Sequence, residues 1–484
     1  MPRSQNAPCE IGGSSRFGWP EDVGFGGAGD TVRITIRPGS TVGGDVEVPG
    51  DKSIAHRWLI LAATARGRSE LRRLPAALDV RSTATVLAAL TAPETSSPLE
   101  AWADNTPVSP EGERSTSNRA RPRAAGLTLA SRGRVSLRPP AGPLDCGNSG
   151  TTMRLMCGVL AGRPFAATLV GDRSLSTRPM ERVAGPLRAM GAETATTDGH
   201  SPVRIRGGPL RGIEHRSEVP SAQVKGAVLL AGLEAAGPTW VHEPVPTRDH
   251  TERALAHLGA PVRYEGAGVG IEGFEHEGFA GSVPGDVSSA AFLLAAAAIG
   301  GRAMTVRGVG VNPSRTAFLG VLRRMGVAVE VEVEREELGE PVGRLHLLPT
   351  SSIVGTEIGP AELPLVIDEV PVLALLAANA EGATSFRGAR ELRVKEVDRL
   401  NGLATAIRGI GGAAEADGDD LIVGGGGLRG GQASSEGDHR LAMALAVGGI
   451  GARSPVEVHG IEAAEVSFPG FVSTLTALGA AVES

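Results

Sequence analysis

Apolar and small residues recur along this chain in a repeated unit. The pattern leucine or isoleucine, two residues, an apolar residue, then glycine and a small residue occurs as LRAMGA (187–192), LAHLGA (255–260), LRRMGV (322–327), IRGIGG (407–412) and LTALGA (475–480). The steps between these sites are 68, 67, 85 and 68 residues, and near-constant spacing of this kind marks a repeat architecture. Each site reads as a helix ended by glycine, followed by a strand such as VAVEVEVE in which apolar and charged positions alternate. A sixth copy, LAAL at 87–90, lacks the glycine and lies 100 residues before Met190. The excess falls in a stretch rich in Pro, Ser, Thr and charge without periodicity, which predicts a disordered or loop insertion at about 95–126.

A second marker lies between those ends, where a polar turn leads into an alanine- and leucine-rich run that stops at glycine. Its six copies are GDKSIAHRWLILAATARG, GNSGTTMRLMCGVLAG, SAQVKGAVLLAGLEAAG, GDVSSAAFLLAAAAIGG, IDEVPVLALLAANAEG and GDHRLAMALAVGGIG. Several are apolar nearly all round, which predicts buried helices rather than amphipathic surface ones. Strand, buried helix, strand, outer helix and strand, six times over, predicts an α/β protein with helices inside.

At 484 residues, with 41% apolar and 21% charged residues, the chain has room for two domains with real cores. A net charge of −6, with arginines scattered among acids, excludes the basic stripe of a nucleic-acid binder. Aromatics at 3% argue against base-stacking platforms. Cys9, Cys146 and Cys157 have no CxxC spacing and fit a reducing cytoplasm, and the histidines include no HExxH pair, so neither a metal site nor a cofactor is expected. Residues 1–30 lack an apolar stretch and read as a disordered extension rather than a signal peptide, and no run is long and apolar enough for a membrane span.

Of 48 basic residues only three are lysines, Lys52, Lys225 and Lys395, each in a polar cluster that opens an apolar run. A chain so biased to arginine keeps lysine where a compact ammonium does what a planar guanidinium cannot; for Lys225 a merely structural charge is an equal reading. Lys52, Arg57, Arg154, Lys225 and Arg440 all fall at starts of the buried helices. Helix N-termini carry unsatisfied N–H groups and about half a positive charge, so cations are disfavoured there unless something negative lies between them. Capping alone does not explain them; a small polyanionic ligand enclosed by the helix ends does.

With GDKSIAHR, GNSGTTMR, STRP, SAQVK, RDHTE, GDVSSAAF, IDE, RVKEVDR and GDHR in that order, the chain resembles the 5-enolpyruvylshikimate-3-phosphate synthase (3-phosphoshikimate 1-carboxyvinyltransferase) family from about Ile34 to Val482. The resemblance implies an enolpyruvyl transferase fold, a two-domain inside-out α/β barrel of six βαβαββ repeats. One domain would comprise 31–50 plus 285–484, with the phosphoenolpyruvate and catalytic residues, and the other 51–284, mainly for shikimate 3-phosphate. It implies transfer of the enolpyruvyl group of phosphoenolpyruvate to the 5-hydroxyl of shikimate 3-phosphate, with release of phosphate, by a cytoplasmic monomer without metal or cofactor.

By the same resemblance Ser53 and Arg57 hold the shikimate carboxylate, and Ser221, the N–H of Ala222, Arg248 and Lys395 hold its phosphate. Arg399 and Arg440 clamp the phosphoenolpyruvate carboxylate, and Lys52, Arg178, Gln223 and the backbone at Gly150 its phosphate. Asp368 takes the hydroxyl proton and Glu396 is the first candidate donor to carbon. His439 either orients groups or shuttles a proton, with orientation favoured.

Two rivals stand beside this reading. The enolpyruvyl transferases acting on UDP-N-acetylglucosamine share the fold, but begin Lys-Asn where this chain has Lys52-Ser53 and carry a reactive cysteine on a loop that here reads GDRSLSTRP. A non-catalytic anion binder of the same fold predicts loss of acid and base residues, yet Asp368, Glu396 and Lys52 are present. Two departures matter. Val466 precedes Ser467-Phe468-Pro469 where many members have lysine, so Arg440 or water must make that phosphate contact. The GDK, SAQxK and RxHxE marks match a subgroup in which glyphosate tolerance is common, while Asn312-Pro313-Ser314-Arg315 has Ser for the usual Thr, and Gly150 stands where a larger residue would crowd glyphosate. Tolerance is therefore an open hypothesis: weak inhibition in competition with phosphoenolpyruvate supports it, and micromolar inhibition removes it.

Overall fold

The six apolar runs form six helices: α1 (Lys52–Thr64), α2 (Gly150–Ala161), α3 (Ala222–Gly232), α4 (Val287–Ile299), α5 (Val370–Ala378) and α6 (His439–Gly449). The computed structural model describes residues 31–104 and 126–483. With no polar face to present to water, these helices pack inside; every residue from Val287 to Ala298 is buried. The polar turns before them supply caps: the side chains of Asp51, Ser149, Ser221, Asp286 and Asp438 each accept a hydrogen bond from a first-turn N–H.

Seven sheets surround these helices among the described residues, all of them mixed α/β in context and none closed into a barrel. Six share one plan, in which a strand pairs in parallel with a second, and the second pairs antiparallel with a third. Five of those six add a fourth, antiparallel strand. The sheet Leu144–Asp145, Ala166–Val170, His200–Arg206 and Glu193–Thr197 is one example; Glu357–Ile358, Ala383–Phe386, Asp420–Gly424 and Ala413–Asp417 is another.

Two apolar clusters form. One gathers α4, α5 and α6 with Ile34, Ile36, Val42 and Val48, and the other gathers α1, α2 and α3 with residues as far as Val283, plus Leu338. Strand pairing explains the early residues: Arg33–Ile36 lies between Val456–His459 and Val482–Glu483, and Gly44–Glu47 runs parallel to Met304–Gly310. The chain passes from one cluster to the other twice. The two passages touch, since the Asp51 N–H donates to Pro284 O at 2.7 Å and the Asp286 N–H donates to Pro49 O at 2.8 Å.

The insertion expected as a loop at about 95–126 is corrected at its start, where Pro93–Asp104 is helical. Proline at the first position suits a helix start, and Leu99, Trp102 and Ala103 fall three and four apart, so they bury one face. The remainder of that insertion, and the expected disordered extension at 1–30, lie outside the described residues. Among the described residues no helix is long and apolar enough to cross a membrane.

The closest helix contact is between α2 and α3, where a Cβ on Gly158 would fall 2.1 Å from the Ala227 carbonyl oxygen. Helix propensity alone favours Gly158→Ala by about 1 kcal/mol, but backbone cannot yield to that overlap as a flexible side chain can. We expect Gly158→Ala to destabilise the protein by roughly 1–3 kcal/mol, read as a lower urea midpoint; an unchanged or raised midpoint contradicts this packing.

Candidate active site

Helix starts from both clusters face one cavity of about 160 Å³. Lys52 and Ser53 reach it from α1, Gly150, Thr151 and Arg154 from α2, Gln223 from α3, Asp286 from the cap of α4, Asp368 from just before α5, and His439 and Arg440 from α6. Loops and other helices add Asp79, Arg178, Arg182, Arg248, Arg315, Glu391, Val394, Lys395, Glu396 and Arg399. Nine of these side chains are cationic and five are carboxylates, a surplus of four positive charges in a protein whose net charge is −6.

The chain's own carboxylates hold most of the cations. Lys52 Nζ lies 2.7 Å from Asp79 Oδ2. Asp368 pairs with Arg248, and its backbone oxygen accepts from Arg440 Nη1 at 2.6 Å. Arg399 is almost fully buried, with Nε donating to Asp438 Oδ2 at 2.7 Å and Nη2 to Glu396. Arg178 donates to Asn148 Oδ1 at 2.7 Å and lies 3.6 Å from Glu396, while the Ser174 hydroxyl donates to the Glu396 backbone oxygen at 2.9 Å. Among the described residues Arg154 has no carboxylate within ion-pair distance: its Nη groups reach the backbone oxygens of Gly150 and Pro179, and its Nε is buried without a partner there. Burial, reinforced by the like charges of Arg182 and Arg178, pushes Arg154 down to about 9.

Charge sets the protonation states. Burial alone would raise the carboxyl of Asp368, yet Arg248, Arg440, Lys395 and Arg399 hold it well below the usual range. Glu396 behaves likewise: burial opposes ionisation, and chiefly the charges of Arg399, Arg178 and Lys52 overcome it. Burial lowers Lys395, with Asp368 pulling the other way. Both carboxylates are thus ionised while the site holds no other anion.

Of the residues singled out from the sequence, Lys52, Ser53, Gly150, Arg178, Gln223, Arg248, Asp368, Lys395, Glu396, Arg399, His439 and Arg440 share this cavity, whereas Arg57, Ser221 and Ala222 do not line it. Arg57 sits one layer behind, donating to Thr251 Oγ1 at 2.7 Å, Ser53 O at 2.8 Å and Gln223 Oε1 at 3.3 Å. Ser221 caps α3. Lys225 is buried between Glu243 and Glu252, 2.8 Å from each, which favours its structural reading. A side chain at Gly150 would press on two guanidinium groups, since a Cβ there lies 2.8 Å from Arg154 Nη1 and 3.3 Å from Arg178 Nη1.

Asp79, Arg182, Asp286, Arg315 and Glu391 were given no role from the sequence. Arg182 had a signal, four residues beyond Arg178, and Asp286 and Arg315 lay inside quoted motifs. Asp79 and Glu391 had none, because each matters only through a cation distant in sequence. No group of three or more His, Cys, Asp or Glu among the described residues is placed to hold a metal ion.

Comparison with known proteins follows the same outline. The family model described as EPSP synthase (3-phosphoshikimate 1-carboxyvinyltransferase) matches residues 36–130 and 119–475. A 3-phosphoshikimate 1-carboxyvinyltransferase of Acidithiobacillus ferrooxidans is 44% identical over 454 residues, covering 93% of this chain and 99% of the relative. That of Halorhodospira halophila is 45% identical over 453 residues, covering 93% and 96%. The solved EPSP synthase of Acinetobacter baumannii superposes with a TM-score of 0.78 at 38% identity, covering 93% of this chain and 99% of that one.

His439 is buried, its Nε2 has no partner, and burial followed by the Lys52 charge puts it well below the ordinary histidine value, with Glu396 opposing. A histidine lowered in the folded state costs stability as pH falls below about 6.5, because only the unfolded chain takes the proton. Ring nitrogen shifts of His439 should therefore show it still neutral below the ordinary histidine midpoint of about 6.5; a midpoint near that ordinary value contradicts this.

Proposed function

Because the chain belongs to the EPSP synthase (3-phosphoshikimate 1-carboxyvinyltransferase) family, we propose that it transfers the enolpyruvyl group of phosphoenolpyruvate to the 5-hydroxyl of shikimate 3-phosphate and releases phosphate. The observation that carries this reading is the surplus of four positive charges around one cavity with an ionised Asp368 among them. Each substrate brings a carboxylate and a phosphate, so two such molecules supply the negative charge the helix ends lack.

In this reading Arg399 and Arg440 clamp the phosphoenolpyruvate carboxylate, and Lys52, Arg178, Gln223 and the backbone at Gly150 take its phosphate. Arg248 and Lys395 hold the phosphate of shikimate 3-phosphate, and Ser53 touches its carboxylate. Arg57, Ser221 and Ala222 join that site once the ligand displaces the inner contacts, which the Arg57–Gln223 bond at 3.3 Å makes easy to exchange. Asp368 removes the hydroxyl proton. Glu396 must instead carry a proton to donate one to the methylene carbon, and bound anions provide the means. They neutralise the same Arg399, Arg178 and Lys52 charges that keep Glu396 ionised in the empty site, and so raise its pKa. His439, neutral and flanked by Asp438 and Arg440, orients these groups.

The finer architecture is proposed with it. Residues 31–50 plus 285–484 make one domain and 51–284 the other, each with three buried helices inside three sheets of three or four strands, the two-stranded pair Leu210–Arg211 and Ala235–Ala236 being additional in the latter, as the two apolar clusters and the touching passages support. The enzyme is read as a cytoplasmic monomer; Cys146 and Cys157 are buried and unpaired, as a reducing compartment allows, and sedimentation at twice the chain mass contradicts the monomer.

Phosphate release with each acceptor is the deciding measurement, and none with shikimate 3-phosphate removes the assignment. Asp368→Asn should lower kcat by roughly 10²–10⁴ while both substrates still bind. Arg440→Ala should weaken phosphoenolpyruvate by about 2–5 kcal/mol, the usual cost of stranding a desolvated charge. Wild-type turnover in Asp368→Asn would assign the proton transfer elsewhere.

A further inference from the structure

Arg315 is 3% exposed and lies in the NPSR turn after the strand Met304–Gly310. Its Nη1 donates to Asp51 Oδ2 at 3.0 Å and to His250 Nε2 at 3.2 Å, and its Nη2 donates to the Ser288 hydroxyl at 2.7 Å. Asp286 and Glu369 lie 3.7 and 4.0 Å from Nη2. Ser288 passes the connection on, donating to Glu369, the neighbour of Asp368. Since His250 Nε2 accepts from Arg315, its Nδ1 carries the proton and donates to Glu340 Oε1 at 2.7 Å. Asn312 then ties Glu340 to Asp249, at 2.8 and 2.7 Å.

These partners stand at four helix starts. Asp51 caps α1 directly before Lys52, His250 opens the helix His250–His257 two residues after Arg248, Asp286 caps α4, and Glu369 precedes α5 directly after Asp368. Lys52 opens α1 and Arg248 precedes the helix His250–His257, both packed in one apolar cluster, whereas Asp368 precedes α5 of the other. The guanidinium thus sits where the chain passes between clusters. It touches both sides through a planar fork that a single ammonium cannot reproduce.

We propose that Arg315 is a positioning residue that fixes Asp368 relative to Lys52 and Arg248 across the two clusters, acting through Ser288 and Glu369 on one side and Asp51 and His250 on the other. This rests on the reaction proposed above, but it makes a separate demand. A buried cation facing three carboxylates also balances charge, and charge balance alone is satisfied by lysine. Positioning is not, because lysine has no second arm to hold Asp51 and Ser288 together.

The test uses Arg315→Lys in the full chain, assayed with shikimate 3-phosphate and phosphoenolpyruvate beside the unmodified enzyme. The expected result is a Tm close to the parent, Kd for each substrate within about threefold, and kcat reduced at least tenfold. Parental kcat in Arg315→Lys, or a loss in Kd as large as the loss in kcat, overturns the inference. Should Arg315→Lys not fold, Ser288→Ala breaks the relay to Glu369 with a change too small to block folding. It should lower kcat severalfold at unchanged Kd, and parental kcat there also overturns the inference. Absence of turnover in the unmodified enzyme would instead refute the reaction, so the two failures are distinguishable.

Discussion

Everything in this molecule depends on placing cations at the positive ends of buried helices. The arrangement is unfavourable by itself, since both the helix dipole and the low-dielectric surroundings oppose it. In this structure the cations of the cavity, at those ends and beside them, are offset by carboxylates: Asp79 for Lys52, Asp368 for Arg248, Glu396 and Asp438 for Arg399. Ligand binding is then an exchange of ionic partners rather than a fresh burial of charge. Such exchange keeps the cavity from collapsing and still leaves it attractive, because Arg154 remains without a carboxylate.

The same constraint accounts for the protonation states. Asp368 and Glu396 are ionised because cations outnumber acids around them, so occupancy and proton affinity are coupled. Where anions neutralise those cations, a carboxyl held ionised by them gains proton affinity, which is the role proposed for Glu396. No movement of backbone is needed for that change, only a different set of neighbours.

Much of this was legible in the sequence. The six buried helices follow from apolar runs with no polar face, and the helix-start cations from their position in those runs. What escaped has a common physical origin. Glu391 and Arg315 act through Arg182 and Asp51, far away in the sequence, and Asp79 through Lys52 of the preceding helix, and a linear pattern does not contain such pairings. Lys225 was equivocal because a lysine one turn into a helix looks the same whether it meets ligand or, as here, Glu243 and Glu252. The helix Pro93–Asp104 was hidden by its Ser, Thr and Pro content, although Leu99, Trp102 and Ala103 mark one helical face. The subgroup marks, read only as labels, prove to be physically joined: Asp51 of GDK, His250 of RDHTE and Arg315 of NPSR meet in one network, and Glu252 of RDHTE holds Lys225 of SAQVK.

The strand Arg33–Ile36 carries one more consequence. Its partners on either side are Val456–His459 and Val482–Glu483, so both neighbours of the first described strand lie at the far end of the described residues. Pairings of such sequence separation form late and slowly. Residues 51–284 supply every member of the second apolar cluster except Leu338, and so can bury most of it without that strand. Pairing of that strand is then expected among the last steps of folding, joining the two ends of the sequence in one sheet.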